Sequence, residues 1–430
     1  MDIGSRLELM VDSWLFDERR GADLVMHHPQ PAPPSASPLR GYYMTVIKDG
    51  DLYRAYYRDL AAGYEGPFGN GNAGEITCYA ESRDGHTWTY PQLGLFDVNG
   101  AHGNNVVLAH AAPCTHNMTP FLDTRPGVPA GERYKALGGL YEGPVSGLVA
   151  LVSADGLRWR KMGDEPVIRS EERAFDSQNV AFWSEAEGCY ACYYRTWLGE
   201  VRAISRRTSP DFFHWSAPAL MEPVVPGEQL YSNNTQPYFR APHTYIALPT
   251  RFLPERDNLT DILLMTSRGG ARYDRHFREA FLRPGPDPER WGNRSNYLAW
   301  GLVPTGPAEM SIYHGPAGRR YTLRTDGLAS LHAGYLQGQA RTRPLCFSGR
   351  ALALNYATSA AGSVAVEIQG PDRRPLPGYG LADCRPMIGD EIAGLVRWRG
   401  STDVSRLAGR QVRLRLVLQD ADLYSLRFMD

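Results

Sequence analysis

One turn recurs along the chain and restricts its fold more than any other feature. It reads CYAESRDGHTW over 78–88, VALVSADGLRW over 149–159 and AISRRTSPDFFHW over 203–215, with a looser copy, ILLMTSRGGARYD, over 262–274. Each copy is a short apolar run, then Ser, then a turn with Asp or Gly; the first three close on Trp88, Trp159 and Trp215. An Asp in such a turn accepts backbone N–H groups, Gly supplies a positive φ, and Trp returns to pack on the sheet. One such turn is common in β proteins. A series of them is an internal repeat.

More of each unit aligns around the turn. A strand such as RYKALGGLY (133–141), CYACYYRTW (189–197) or TYIALPTRF (244–252) precedes it. Before that comes a polar-led strand: HNMTPFLD (116–123), FDSQNVAFW (175–183) or NNTQPYF (233–239). The same order fits YYMTVIKDGDLYRAYYRD (42–59) and EMSIYHGPAGRRYTLRTDGLASL (309–331). Five units of about 60 residues predict a five-bladed β-propeller. The Pro-rich HHPQPAPPSASPLRG (27–41) leads into it, and ELMVDSWLFD before that is expected to close the ring. From about residue 345 the turn disappears, and alternating strands such as SVAVEIQG and QVRLRLVLQD predict a β-sandwich. The expected fold is all-β: a five-bladed β-propeller over 1–340, then a C-terminal β-sandwich over 341–430.

A net charge of −1 over 430 residues leaves no basic footprint for nucleic acid. No apolar run is long enough to span a membrane. The N-terminus lacks a leader pattern, so the chain as given reads as cytoplasmic, or as secreted if a leader precedes it. Nothing in the pattern sets an oligomeric state. Six cysteines are too few for a disulfide scaffold, and the Cys189–Cys192 pair sits in an aromatic strand with no second pair nearby, which reads as packing.

Inner strands of a propeller converge on one mouth, the default place for a site. The leading polar residues are Asn104, Asn105, His116 and Asn117, then Asp176, Gln178 and Asn179, then Asn233, Asn234 and Gln236, then Glu309 with Ser311 and Tyr313. Arg195 and Arg251 end neighbouring strands. An amide-rich collar with two acids suits a carbohydrate substrate. Asp176 is then base, nucleophile or stabiliser, and Glu309 the acid, of glycoside hydrolysis. A turn cap remains the alternative for Asp176, and a plain surface residue for Glu309. Three further carboxylates compete: Glu75, ending the Gly-rich insert GYEGPFGNGNAGE (63–75) that could form a lid, Asp123 and Asp12. No His or Cys spacing indicates a metal, so no cofactor is expected, although Asn and Asp oxygens leave a structural calcium open.

A five-bladed propeller with a small sandwich resembles the furanoside-cleaving enzymes of glycoside hydrolase family 32, whose propeller is shared by family 43. TSPDFFHWSAPALMEP (208–223) is similar to their blade turns, and FDSQNVAFW to the strand whose Arg-Asp-Pro carries a transition-state-stabilising Asp. The resemblance implies a fructofuranoside or arabinofuranoside hydrolase with Asp176 in that role. Here Phe175 and Ser177 flank Asp176, Gly188 precedes Cys189 where the family's acid has Glu, and the family's N-terminal nucleophile motif has no counterpart. Three alternatives stand beside this reading: a sialidase using Arg195, Arg251 and Arg268, a phosphate-dependent phosphorylase, and a non-catalytic carbohydrate-binding propeller.

Overall fold

The computed structural model describes residues 1–140, 147–170, 173–292 and 295–430. Among them the regular elements are β-strands and single 3-10 turns, with no α-helix. Two compact units form, Pro29–Thr322 and the pair of segments Met1–His28 and Leu323–Asp430.

The first unit is a series of antiparallel sheets. Three are sequential and four-stranded: Tyr42–Asp49, Leu52–Leu60, Glu75–Ser82, Val106–Leu108; Thr119–Leu122, Tyr134–Leu140, Gly147–Ser153, Arg160–Lys161; and Val180–Ser184, Cys189–Leu198, Val201–Ser209, Ala219–Leu220. Next come two three-stranded ladders, Gln236–Tyr238 with Ala241–Ala247 and Met265–Ser267, and Gln229–Ser232 with Thr250–Leu253 and Leu259–Ile262. The last sheet joins Val303–Pro304, Glu309–His314 and Arg319–Arg324 to Gln30–Pro31.

The repeated turn is the device the sequence predicts. Gly85 N donates to Ser82 Oγ at 2.9 Å, while Asp84 Oδ1 accepts from His86 N and Thr87 N at 2.7 and 2.8 Å. Ser153 and Asp155 repeat the pattern, as do Ser209 and Asp211. Burial would raise the Asp84 and Asp155 carboxyls, but the N–H groups of the turn outweigh it and hold both at about 2. Gly85 and Gly156 supply φ of +68° and +76°; in the third copy Phe212 adopts +70° in their place. The strain is offset by complete burial of its ring against Phe121, Tyr190 and Trp215.

The leading strands are neighbours in space. Thr119–Leu122 lies beside Tyr42–Asp49 and Val180–Ser184, and the latter beside Gln236–Tyr238. Trp300 bridges to Thr45 in parallel, with Val46 N donating to Trp300 O (2.7 Å) and Trp300 N to Met44 O (2.8 Å). Side-chain amides lace these seams. Gln178 Nε2 donates to Met44 O (2.7 Å), Asn234 Nδ2 to Leu298 O (2.9 Å), and Gln236 Oε1 accepts from Leu302 N (3.0 Å). All three were expected at an open mouth. They are instead buried, each spent on a backbone group of a neighbouring strand, which satisfies the amide where water cannot reach it.

The second unit includes the N-terminal segment. Phe16–Arg20 pairs with Gly338–Thr342, and Asp23–Met26 with Ala329–Ala333, all in one sheet with Arg413–Met429 and Ala351–Gln369. Residues 1–28 therefore pair with C-terminal strands and share one compact unit with Leu323–Asp430. Leu24 and Met26 turn inward while Asp23 and Val25 face out, and Glu18 and Asp17 meet Arg341 and Arg413. Asp12 also belongs here: its Oδ1 accepts from Trp14 N at 3.0 Å. Tyr379 and Trp398 are buried and packed edge to face, with Trp398 Nε1 donating to Val366 O, so neither ring offers a face to a sugar.

Candidate functional site

Two strand ends and two turns of the first unit bring five ionisable side chains together. Arg58 pairs across its ladder with Tyr42, and Glu75 opens the next strand, opposite Leu60. His116 and Asn117 occupy the turn before Thr119, with Asn117 at φ +54°. Phe175 N donates to Arg195 O (3.0 Å), which sets Asp176 beside the Arg195 strand; the buried Phe175 ring packs on Tyr194.

The contacts run as a chain. Arg195 Nη2 donates to Asp176 Oδ2 at 2.9 Å. Asp176 Oδ1 stands 3.6 Å from His116 Nε2. On the other edge of the imidazole, Nδ1 meets Glu75 Oε2 at 2.8 Å, and the same nitrogen faces Gly71 N at 3.1 Å and Arg58 Nη1 at 3.0 Å. Gly71 N donates to Glu75 Oε1 at 3.0 Å. Gly71 holds a φ of +69°, a backbone conformation that favours glycine. Arg58 Nη1 donates to Asn117 Oδ1 at 2.9 Å, and its guanidinium lies over the Tyr43 ring at 4.6 Å. Arg195 lies over Tyr231 at 4.7 Å.

Burial sorts the carboxylates. His116 is sealed from solvent and Glu75 nearly so, whereas 27 % of the Asp176 side chain is open. Burial would raise the Asp176 carboxyl, but the His116 contact and the Arg195 charge overcome it and hold the group at about 2, ionised at neutral pH. Burial and the neighbouring Tyr231 push the Tyr43 hydroxyl well above its ordinary range, so it stays a proton donor. A cavity of about 200 Å³ adjoins the cluster, lined by residues that include Tyr43, Arg58, Tyr231, Tyr297, Gly41 and Leu298.

Of the predicted residues, Asp176, Glu75, His116, Asn117 and Arg195 meet. The others do not join this set of contacts. Glu309 opens the second strand of its sheet, not the first. Leu298 bridges to His314 and Val303 pairs with Ser311, so Glu309 lies at the end away from Leu298 and the cavity. There it pairs with Arg320 (2.9 Å) and accepts from Thr305, with 41 % of its side chain open. Arg251 is held by both oxygens of Asp261 (2.9 and 2.6 Å), which removes it from an Arg set for a sialoside. Tyr313 donates to Gly85 O, Asn105 to Tyr79 O and Tyr57, and Asp123 pairs with Lys135 (3.0 Å) and Tyr190 (2.6 Å). Each of these three is a framework contact.

Sequence reasoning missed Arg58, Tyr43 and Tyr231. Arg58 carried a signal: Tyr56-Tyr57-Arg58 and Tyr193-Tyr194-Arg195 are the same Tyr-Tyr-Arg at the same strand of two repeat units. The Cys189 and Cys192 thiols are free, and burial raises both. Among the described residues, no group of three or more His, Cys, Asp or Glu side chains is arranged to hold a metal ion, and no helix is long and apolar enough to cross a membrane.

No family model matches the chain, and no curated protein matches it. Solved structures with similar folds include an N-acetylgalactosamine deacetylase from F. plautii in complex with blood group B trisaccharide, at 12 % identity and TM-score 0.47, covering 92 % of this chain and 95 % of that one. An endo-arabinase from Bacteroides thetaiotaomicron matches at 12 % identity and TM-score 0.43, over 68 % of this chain and 96 % of that one. A β-1,2-mannobiose phosphorylase from Listeria innocua matches at 12 % and 0.45, over 71 % and 98 %.

Proposed function

We propose that Pro29–Thr322 is a five-bladed β-propeller acting on a glycoside, with Asp176 as the ionised carboxylate at the bond that breaks. The ring reading is supported by the run of neighbours from Tyr42–Asp49 through Thr119–Leu122, Val180–Ser184 and Gln236–Tyr238, and by the Trp300 and Gln236 bonds that lead back to Thr45. The alternating strands of the second unit support a β-sandwich.

The observation that carries the functional reading is Asp176: a partly open carboxylate kept ionised between a guanidinium and an imidazole. An ionised carboxylate serves as base, nucleophile or stabiliser of an oxocarbenium-like transition state, not as the acid. The proton for the leaving oxygen then falls to His116 Nε2, the ring nitrogen that faces Asp176, while Glu75 holds the ring in place from the Nδ1 side. His116 is sealed, so its proton reaches the substrate only along the edge where Asp176 stands. Glu75 is a positioning residue in this scheme.

Furanosides are the substrate class to test first. Purified protein is assayed on chromogenic arabinofuranosides and fructofuranosides, as wild type and as Asp176→Asn. Turnover in the wild type that falls by about three orders of magnitude or more in the variant supports the reading; turnover unaffected by the substitution removes Asp176 from the chemistry. One observation favours a second reading, sugar binding without turnover: in the described cluster only one carboxylate opens outward, because Glu75 is closed off behind His116. Sugar affinity with no product from any substrate would select it.

A further inference from the structure

We propose that the Asp176 cluster contains an oxyanion subsite, which takes a phosphate or carboxylate group on the guanidinium groups of Arg58 and Arg195. It rests on the glycoside reading only for its setting beside a sugar; binding of the anion is a separate property.

A guanidinium offers five N–H donors, and Arg195 keeps at least one without an acceptor. The Arg195 side chain is 1 % exposed; Nη2 serves Asp176, while Nε is buried without an acceptor. Trp197, two residues on and so on the same face of the strand, has a buried Nε1–H that also lacks one. Buried donors without acceptors cost free energy unless a ligand satisfies them. Arg58 commits Nη1 to Asn117 and His116, and its guanidinium lines the adjoining cavity with Tyr43 and Tyr231. At about 200 Å³ that cavity is below the roughly 300–1,000 Å³ of sites for whole drug-sized ligands, so it suits one small group. Arg202, over the Trp197 ring at 4.6 Å, adds a third cation nearby, against the carboxylates of Asp176 and Glu75. Planar, paired donors of this type match the oxygens of phosphate and carboxylate.

Two sources supply that chemistry: inorganic phosphate entering beside the sugar, or an acidic group carried by the sugar. Calorimetric titration at low salt with sodium phosphate, sodium glucuronate and neutral glucose separates them. One of the two anions is expected to bind at least about tenfold more tightly than glucose, and to weaken about tenfold or more in Arg58→Gln and in Arg195→Lys, the loss of one charge-assisted hydrogen bond. Tighter phosphate points to the free ion, tighter glucuronate to an acidic sugar. Asp176→Asn should bind the anion as well or better, since a like charge has gone, while losing turnover. If Arg195→Lys does not fold, Arg58→Gln at the more open rim carries the test. Neither anion binding better than glucose to folded protein overturns the subsite, and turnover of neutral furanosides by that protein leaves the Asp176 reading standing. Anion binding without turnover of any glycoside has the opposite meaning.

Discussion

Two sets of buried polar side chains lie within one unit, and they differ in what satisfies them. The amides Gln178, Asn234 and Gln236 bond to backbone groups of neighbouring strands. The cluster of Arg58, Glu75, His116, Asp176 and Arg195 bonds mainly to itself, side chain to side chain, with donors left over. The first arrangement stabilises a seam. The second holds charges in a fixed geometry with one carboxylate open, which is the condition for acting on a ligand. Polarity at the head of a strand did not separate the two; the identity of the partner did.

The sharpest way to break this contrast is Asp176→Asn. If the cluster is chemical rather than structural, activity falls by about 10³-fold or more while the folded state persists. A thermal unfolding midpoint moving by more than about 10 °C would instead class Asp176 with the seams. Glu75→Gln comes next. It keeps the shape but removes the carboxylate charge that holds the His116 ring, so kcat should drop by about 10²-fold with KM little changed. A raised KM at constant kcat would mean that Glu75 shapes binding, not proton placement.

The seams predict the opposite signature. Gln178→Leu removes one of the two donors to Met44 O, Trp300 N remaining, and should cost about 0.5–1.5 kcal/mol of stability, read by denaturant unfolding. The remaining folded protein should turn over substrate at a near-normal rate. A large loss of activity with no loss of stability would return Gln178 to the site.

Much of the fold was legible because it is local. Ser, Asp and a left-handed residue close each turn with bonds spanning two or three positions, so the pattern is written in consecutive residues, and the Phe212 copy shows that burial can replace Gly. The site was legible in part. His116, Asn117 and Asp176 each sit in a short turn just ahead of a leading strand, so reading strand heads found them. Glu309 was misplaced because the leading strand of its unit is the short Val303–Pro304, too brief to show period-two alternation. Arg58 was overlooked because its partner Asn117 lies 59 positions away in another unit, and only the Tyr-Tyr-Arg it shares with Arg195 marked its place.

Acid stability sharpens the contrast further. The Asp176 carboxyl sits at about 2 in the folded protein, against roughly 3.9 in an unfolded chain. A depressed folded value contributes stability that is fully present above about pH 4 and is lost as pH falls toward 2. Asp176→Asn should therefore flatten the stability profile between pH 4 and 2, although Asp84 and Asp155 retain part of the slope. An unchanged slope would mean that His116 and Arg195 do not favour the ionised form.

The smallest effect is expected at Glu309, and there the comparison is most exposed. Its carboxylate pairs with Arg320 at 2.9 Å with 41 % of the side chain in solvent, a pair of the kind worth about 0–1 kcal/mol. Thr305 and Ser311 already surround Arg320 and would keep it solvated and bonded after the change. Glu309→Gln should then alter turnover less than about twofold and stability by under about 1 kcal/mol. A loss as large as that of Asp176→Asn would restore the two-acid collar and require the strand Glu309–His314 to present its first residue to the substrate. That arrangement is incompatible with the Leu298–His314 bridge, which holds the other end of the strand beside the cavity.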